Sequence, residues 1–247
     1  MTYSEIHFHL IPGVDDGPST IEESLELASL AVADGTATVV ATPHVHRQHV
    51  TAPEEIAPRV AELSDRLRRA HIPLKVLPGG ELAHDMVDRL SQRELDAIAQ
   101  GPAGQRWLLL EAPFDGLDQR YARAADELRD RGFAVVVAHP ERALQTPTTE
   151  LVIERELALG SGLQLTAWSF AGLYGERVRA LALRLLRRTT RSVIASDAHG
   201  GDRLPALRLA LSALAASGEP EPRQFVAARP QALLAEGLAV KTAARAA

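Results

Sequence analysis

The chain has no cysteine, and this absence removes several classes of chemistry. Disulfides, thiolate zinc sites and cysteine nucleophiles are all excluded. Positive charge is not in excess either, because 27 Lys and Arg stand against 32 Asp and Glu, for a formal net charge of −5. Such a chain lacks the basic footprint of a nucleic-acid-binding protein. We therefore expect no nucleic-acid partner.

Long apolar runs are also missing. No uncharged stretch is both long and apolar enough to span a bilayer, and the N-terminus has no basic segment followed by an apolar one. We expect a cytoplasmic protein without a membrane span. With 247 residues, of which 46% are hydrophobic, the chain is long enough for a large core. It predicts one α/β domain over residues 1–247.

The pattern that is present is a strand followed by a helix, repeated about every 30 residues. Predicted strands end near positions 9, 44, 81, 111, 139, 166 and 197. Seven parallel strands of this kind form either a closed barrel or an open doubly wound sheet. We favour a TIM-like barrel, because a barrel gathers the strand ends around one mouth whereas an open sheet spreads them along a line.

Nine His, Asp or Glu side chains stand at or near these strand ends: His7, His9, Asp16, His44, Glu81, Glu111, His139, Asp197 and His199. In the first strand, the two-residue period places His7 and His9 on the same side. A lone histidine after a strand is more often structural than a metal ligand. As a set, however, the nine predict two or three divalent cations, because four carboxylates in one pocket repel one another unless cations neutralise them. Nitrogen and oxygen ligands suit manganese, iron or zinc alike.

Seven motifs in this order carry a resemblance to a known superfamily: His7-Phe8-His9, Val14-Asp15-Asp16-Gly17, Ala41-Thr42-Pro43-His44, Gly79-Gly80-Glu81, Leu109-Leu110-Glu111, Ala138-His139-Pro140-Glu141-Arg142 and Ser196-Asp197-Ala198-His199. Together they resemble the PHP (polymerase and histidinol phosphatase) superfamily. Within it, the chain is most similar to the bacterial manganese-dependent protein-tyrosine phosphatases encoded with capsule and exopolysaccharide genes.

This resemblance implies a distorted (β/α)7 barrel, the PHP fold, with a trinuclear metal centre in which manganese is the first expectation. It implies three ligand sets: His7, His9, Glu81 and Asp197; Glu81, Glu111 and His139; Asp16, His44 and His199. Arg142 is expected to bind the phosphate, and Arg203 is the candidate for a second phosphate-binding arginine. Glu5 stands where the family usually has Asp, and the segment from His199 to Arg203 is one residue shorter than usual.

The function that follows is hydrolysis of a phosphate monoester by a metal-activated water. The resemblance implies a tyrosine phosphatase that acts on the tail of a bacterial tyrosine kinase, with a homo-oligomer as an open alternative to a monomer. A small-molecule phosphatase similar to histidinol phosphatase and a catalytically silent metal-binding domain are the two alternative functions. His46 and His49 are either substrate contacts or solvated loop residues.

Overall fold

The computed structural model describes residues 2–48 and 52–241, so His49 lies outside the described residues. The strands are β1 (Tyr3–Phe8), β2 (Thr36–Ala41), β3 (His44–Val45), β4 (Lys75–Pro78), β5 (Glu81–Ala83), β6 (Trp107–Glu111), β7 (Ala134–Ala138), β8 (Gly162–Thr166) and β9 (Ser192–Ala195). The α-helices are α1 (Ile21–Asp34), α2 (Pro53–Arg69), α3 (Gln92–Ile98), α4 (Gln119–Asp130), α5 (Pro147–Ala158), α6 (Ala167–Phe170), α7 (Glu176–Leu186), α8 (Leu207–Ala216) and α9 (Ala228–Glu236). Over these ranges, no helix combines the length and the hydropathy that a membrane span requires.

Backbone pairing orders the strands into a ring. One sheet has the order β1-β2-β4 and the other β3-β5-β6-β7-β8-β9, and the paired strands are parallel. β3 continues β2 after a two-residue break, and β5 continues β4 in the same way, so these two strands join the sheets. The ring closes between β1 and β9, where His9 N donates to Ala198 O at 2.9 Å and Asp197 N donates to His7 O at 3.2 Å. The predicted α/β barrel of seven parallel strands is confirmed, with two of the seven interrupted.

The barrel wall is packed on both faces, as β6 illustrates. Trp107 and Leu109 belong to an apolar cluster inside the ring, whereas Leu108 and Leu110 belong to the larger cluster that includes the buried faces of the helices. Trp107 Nε1 also donates to Leu233 O of α9 at 3.0 Å. Because Trp107 begins its strand, α9 covers the amino-terminal end of the barrel. The carboxyl end is left open for the candidate ligands.

Local sequence explains how the first helix is placed. Thr20 caps α1 by accepting a hydrogen bond from Glu23 N, and the Glu23 side chain accepts from the Thr20 backbone, which is a capping box. Gly35 ends the helix with φ 105°, a left-handed conformation that glycine adopts without a Cβ penalty. Local interactions therefore fix both ends of α1, and Gly35 alone connects the helix to β2.

The structure differs from the sequence prediction around position 81. Glu81 was expected to follow a strand, but it begins the short strand β5, which pairs with β3 and β6. The break arises at Gly79 and Gly80, where the chain passes close to its neighbour: Gly79 N donates to Ala41 O at 2.9 Å, and a Cβ on Gly79 would lie 2.4 Å from Val40 Cγ1. A single apolar run does not reveal such a break.

We expect Gly79→Ala to destabilise the protein by about 1–3 kcal/mol, because the added methyl group overpacks against the buried Val40 side chain. Chemical denaturation measures this change. In a Val40→Ala background the clash is absent, so the same substitution should cost clearly less, and the difference is the coupling energy of the pair. An equal cost in both backgrounds would show that Val40 is not the reason for glycine at this position.

Candidate metal centre

The candidate ligands lie at the carboxyl end of the barrel, in and directly behind one cavity of about 270 Å³. All of the nine except His7 and His9 line this cavity, together with Arg142 and Arg203. His7 and His9 are fully buried behind it. The structure thus brings together every side chain that the sequence selected from seven separate motifs.

Within the described residues, three groups place their ligand atoms within 4.8 Å of one another. The groups are His7, His9, Glu81 and Asp197; His9, Asp16, His44 and His199; and His44, Glu81 and Glu111. The first group is the same as the first expected ligand set. The third expected set is joined by His9, and the Glu81–Glu111 group contains His44 instead of His139. His139 Nε2 nevertheless lies 2.8 Å from Glu81 Oε1.

In the first group, two imidazole nitrogens face each other across a narrow gap. His7 Nε2 lies 3.2 Å from His9 Nε2, and it lies 3.1 Å from Glu81 Oε2 and 3.2 Å from Asp197 Oδ1. His9 Nε2 lies 3.4 Å from the same Glu81 oxygen. Four potential donor atoms therefore converge on one small volume.

Hydrogen bonds to the Nδ1 atoms of His7 and His9 determine whether their Nε2 atoms carry a proton or a lone pair. His7 Nδ1 lies 2.9 Å from the side-chain oxygen of Gln164, and His9 Nδ1 lies 2.7 Å from the Asp15 carboxylate, so each Nδ1–H donates to an acceptor. In the neutral ring, the lone pair is then on Nε2. Lone pairs and carboxylate oxygens that face one another repel unless a cation lies between them. The donor set therefore fits a divalent metal ion, and Gln164 and Asp15 orient its ligands.

The titration behaviour of the cluster has the same cause. Burial alone lowers the pKa of His7, but the charges of Glu81 and Asp197 outweigh burial and raise it to about 9. Burial likewise opposes the change at His44, whose pKa rises to about 11 because of Glu81 and Asp16. Burial and then the charge of Glu81 raise the pKa of Glu111. The carboxylates are stabilised by the positive charge of protonated imidazoles. A metal ion bound to the neutral imidazoles would supply this positive charge in place of the imidazole protons.

Two of the candidate ligands have a left-handed backbone. His139 has φ 44° and Asp197 has φ 54°, and both directly follow or nearly follow a strand end. Such a conformation is uncommon for residues other than glycine and costs of the order of 1 kcal/mol each. At His139 it breaks the in-and-out alternation of β7, and the ring contacts Glu81. The contacts that these side chains make in the site offset this conformational cost.

Both predicted arginines lie at the mouth of the cavity. Arg142 Nη1 donates to Asp197 Oδ2 at 2.7 Å, and its guanidinium contacts the rings of both Phe114 and Tyr174. Arg203 Nη2 donates to Asp16 Oδ2. Its position follows from a tight turn, in which His199 N donates to Arg203 O at 2.9 Å. The shortened segment still delivers Arg203 to the cavity.

Other residues have roles that the sequence did not indicate. Glu5 does not contact a histidine: its carboxylate accepts from Ser196 N and Thr36 Oγ1, and burial, only partly offset by these hydrogen bonds, raises its pKa to about 7. His46 lines the cavity. Phe114 was not selected from the sequence, although its place three residues after Glu111 puts it beside a strand end. Asp15 was visible only as a member of a motif, and Gln164 only as part of the strand predicted to end near position 166.

Comparisons with known proteins agree with this geometry. The sequence model of the family described as "Capsular polysaccharide synthesis, CpsB/CapC" matches residues 3–235. Tyrosine-protein phosphatase YwqE of Bacillus subtilis (strain 168) is 34% identical over 79% of this chain and 76% of its own length. The putative tyrosine-protein phosphatase CapC of Staphylococcus aureus is 30% identical over the same shares.

A solved structure is also similar along the whole chain. It belongs to the crystal structures of YwqE from Bacillus subtilis and CpsB from Streptococcus pneumoniae, described as unique metal-dependent tyrosine phosphatases. It covers 98% of this chain and 100% of its own, with a TM-score of 0.81 and 27% sequence identity. The matched family model and the two relatives lead to one conclusion: the chain belongs to the CpsB/CapC family.

Proposed function

We propose that this protein is a metal-dependent tyrosine-protein phosphatase, which hydrolyses the phosphate monoester of phosphotyrosine in proteins. The observation that carries the proposal is the set of converging lone pairs and carboxylates at His7, His9, Glu81 and Asp197, placed directly beside Arg142. Family membership and the names of the relatives support the tyrosine phosphatase over the small-molecule phosphatase and the silent metal-binding domain.

We propose all nine candidate residues as the metal ligands and three divalent ions as the complement, manganese before iron or zinc. Three adjoining groups of ligand atoms support this number, and Glu81 belongs to two of them, as a bridging carboxylate would. When bound, such ions supply Lewis-acid charge and lower the pKa of a coordinated water. Gln164 and Asp15 contribute by fixing the orientation of His7 and His9.

The arginines are proposed to hold the substrate. Arg142 and Arg203 place two positive charges at the cavity mouth, where they can donate to the oxygens of a phosphate dianion. Arg142 is held by a hydrogen bond to Asp197 and by contacts with two aromatic rings, so its side chain loses little rotational freedom when it binds phosphate. The phenolate of tyrosine, with a free pKa near 10, leaves with less help from a proton donor than an alkoxide needs.

The partner and the setting are finer proposals. We propose that the substrate is the tyrosine-rich tail of a bacterial tyrosine kinase in exopolysaccharide or capsule regulation, and that the protein acts in the cytoplasm as a single domain over residues 1–247. A homo-oligomer is an additional proposal, which light scattering tests directly. Membership in the family described as "Capsular polysaccharide synthesis, CpsB/CapC" supports this biological setting.

We expect manganese to stabilise protein that has been stripped with a chelator, because the ions bind the folded cluster and not the unfolded chain. At a free concentration one hundred times Kd, a single site contributes about 2.7 kcal/mol, which corresponds to roughly 5–10 °C in Tm. Differential scanning calorimetry measures the shift, and metal analysis of reloaded protein should give three ions per chain.

A matched pair of variants locates the effect. Glu81→Gln removes a charge shared by two ligand groups and should lose most of the manganese-dependent shift, whereas Glu62→Gln on the exposed face of α2 should keep it. A full shift in the Glu81 variant, or no shift in the original protein, would contradict the proposed centre.

Arg142→Ala is expected to lower kcat/KM for a phosphotyrosine peptide about 100-fold to 1,000-fold, because a preorganised donor to the phosphate oxygens is lost. Arg142→Lys should recover only part of this, since a lysine is a point charge without the planar fork. Arg203→Ala tests the second arginine, and the exposed Arg69→Ala is the control. Near-normal turnover by the Arg142→Ala variant would rule out its role as phosphate ligand.

A further inference from the structure

Phe114 is an aromatic side chain exposed at the mouth of the candidate metal centre. It is 56% exposed, and among the described Phe, Tyr and Trp residues it is the one that is exposed; the other four phenylalanines are buried. It also lines the cavity that holds the candidate ligands. A single exposed apolar residue needs no explanation by itself, so the inference depends on what surrounds this ring.

The loop that carries Phe114 is fixed at both ends. Gly116 N donates to Pro113 O at 3.0 Å, which closes a turn, and Leu144 N donates to Phe114 O at 2.9 Å. Gly116 has φ 111°, and a Cβ there would lie 2.8 Å from Thr149 Oγ1, so the turn requires glycine. The ring is therefore presented by a rigid segment and needs little ordering when a ligand binds.

The ring of Phe114 contacts Arg142, the proposed phosphate ligand, and His139, a candidate metal ligand. The Arg142 Cζ atom lies 4.8 Å from the Phe114 ring centroid, and the His139 ring lies 5.9 Å away and nearly parallel, at 16°. The same Arg142 Cζ atom lies 4.6 Å from the centroid of the Tyr174 ring. A phosphate bound by Arg142 would therefore have the exposed phenyl ring of Phe114 beside it.

We propose that Phe114 is a specificity-determining residue that contacts the aryl ring of the substrate and favours aryl over alkyl phosphate monoesters. The proposal rests on the phosphatase function stated above and names the residue that selects its substrate class. In an aryl ester, the ring is joined to phosphorus through a single oxygen, so a phosphate on Arg142 carries its ring at the mouth, next to Phe114. A serine or threonine ester brings no ring to this position.

The structure also offers a simpler role for Phe114, which is to hold the guanidinium of Arg142 in place. The two roles predict different results. A ring that only positions Arg142 affects every phosphate-like ligand equally, whereas a ring that contacts the substrate affects only ligands with an aryl group. A pair of non-hydrolysable ligands that differ only in that group separates them.

The experiment is isothermal titration of the manganese-loaded protein with phenylphosphonate and with methylphosphonate. Phe114→Ala should weaken phenylphosphonate about fivefold to tenfold, which is the range expected for loss of an aromatic pair, and leave methylphosphonate within about twofold. Phe114→Tyr keeps the ring, so this variant should bind both phosphonates as the original protein does. Phe114→Leu removes the ring, so it should show most of the loss in phenylphosphonate affinity that the alanine variant shows. Leu151→Ala, which removes a side chain 71% exposed on α5, is the control.

Equal weakening of both ligands would overturn the proposal in favour of the positioning role, and no change in either would show that Phe114 does not contact the ligand. Turnover of a phosphotyrosine peptide by the original protein is measured separately. Failure of that turnover would refute the phosphatase function, while the contrast between the two phosphonates would still decide the role of Phe114.

Discussion

The structure depends on one electrostatic requirement: positive charge must lie among the carboxylates and imidazole nitrogens at the carboxyl end of the barrel. Glu81 lies at the centre of this requirement, because it contacts His7, His44 and His139. The acceptors behind the rings, Gln164 and Asp15, turn the lone pairs inward and so strengthen the demand. Without cations the same arrangement would be repulsive, and burial leaves water little access to relieve it.

Closure of the barrel and assembly of this centre are the same event. The hydrogen bonds that join β1 to β9 are made by His7 O with Asp197 N and by His9 N with Ala198 O. The side chains of His7 and Asp197, which belong to one ligand group, therefore meet only when the first strand pairs with the last. If this group binds a metal ion as proposed, binding favours the closed ring, since His7 and Asp197 come from opposite ends of the barrel sequence.

Much of this arrangement could be predicted from the sequence, because apolar runs followed by His or acidic residues mark strand ends that a barrel must gather. The division of these residues into separate ligand groups was less predictable. The strand period tells which face a side chain occupies, but not how far apart neighbouring strands hold it, so the membership of His44 in two groups was not foreseen. His139 departs from the alternation because of its left-handed backbone, and Gln164 lies in a predicted strand whose end carries no candidate ligand. Contacts between side chains from distant strands require the structure.

Substrate selection by such a centre must come from its rim. Divalent cations and arginines attract any phosphate dianion, since they interact with the charge and the oxygens that all monoesters share. The groups that differ between esters lie beyond the phosphate, outside the buried cluster, where the cavity opens. At that distance a charged residue would again act on the common phosphate, whereas an apolar ring acts on the leaving group. A rigid, exposed phenyl ring beside the arginine proposed to bind the phosphate is therefore suited to selecting an aryl ester at an otherwise unselective site.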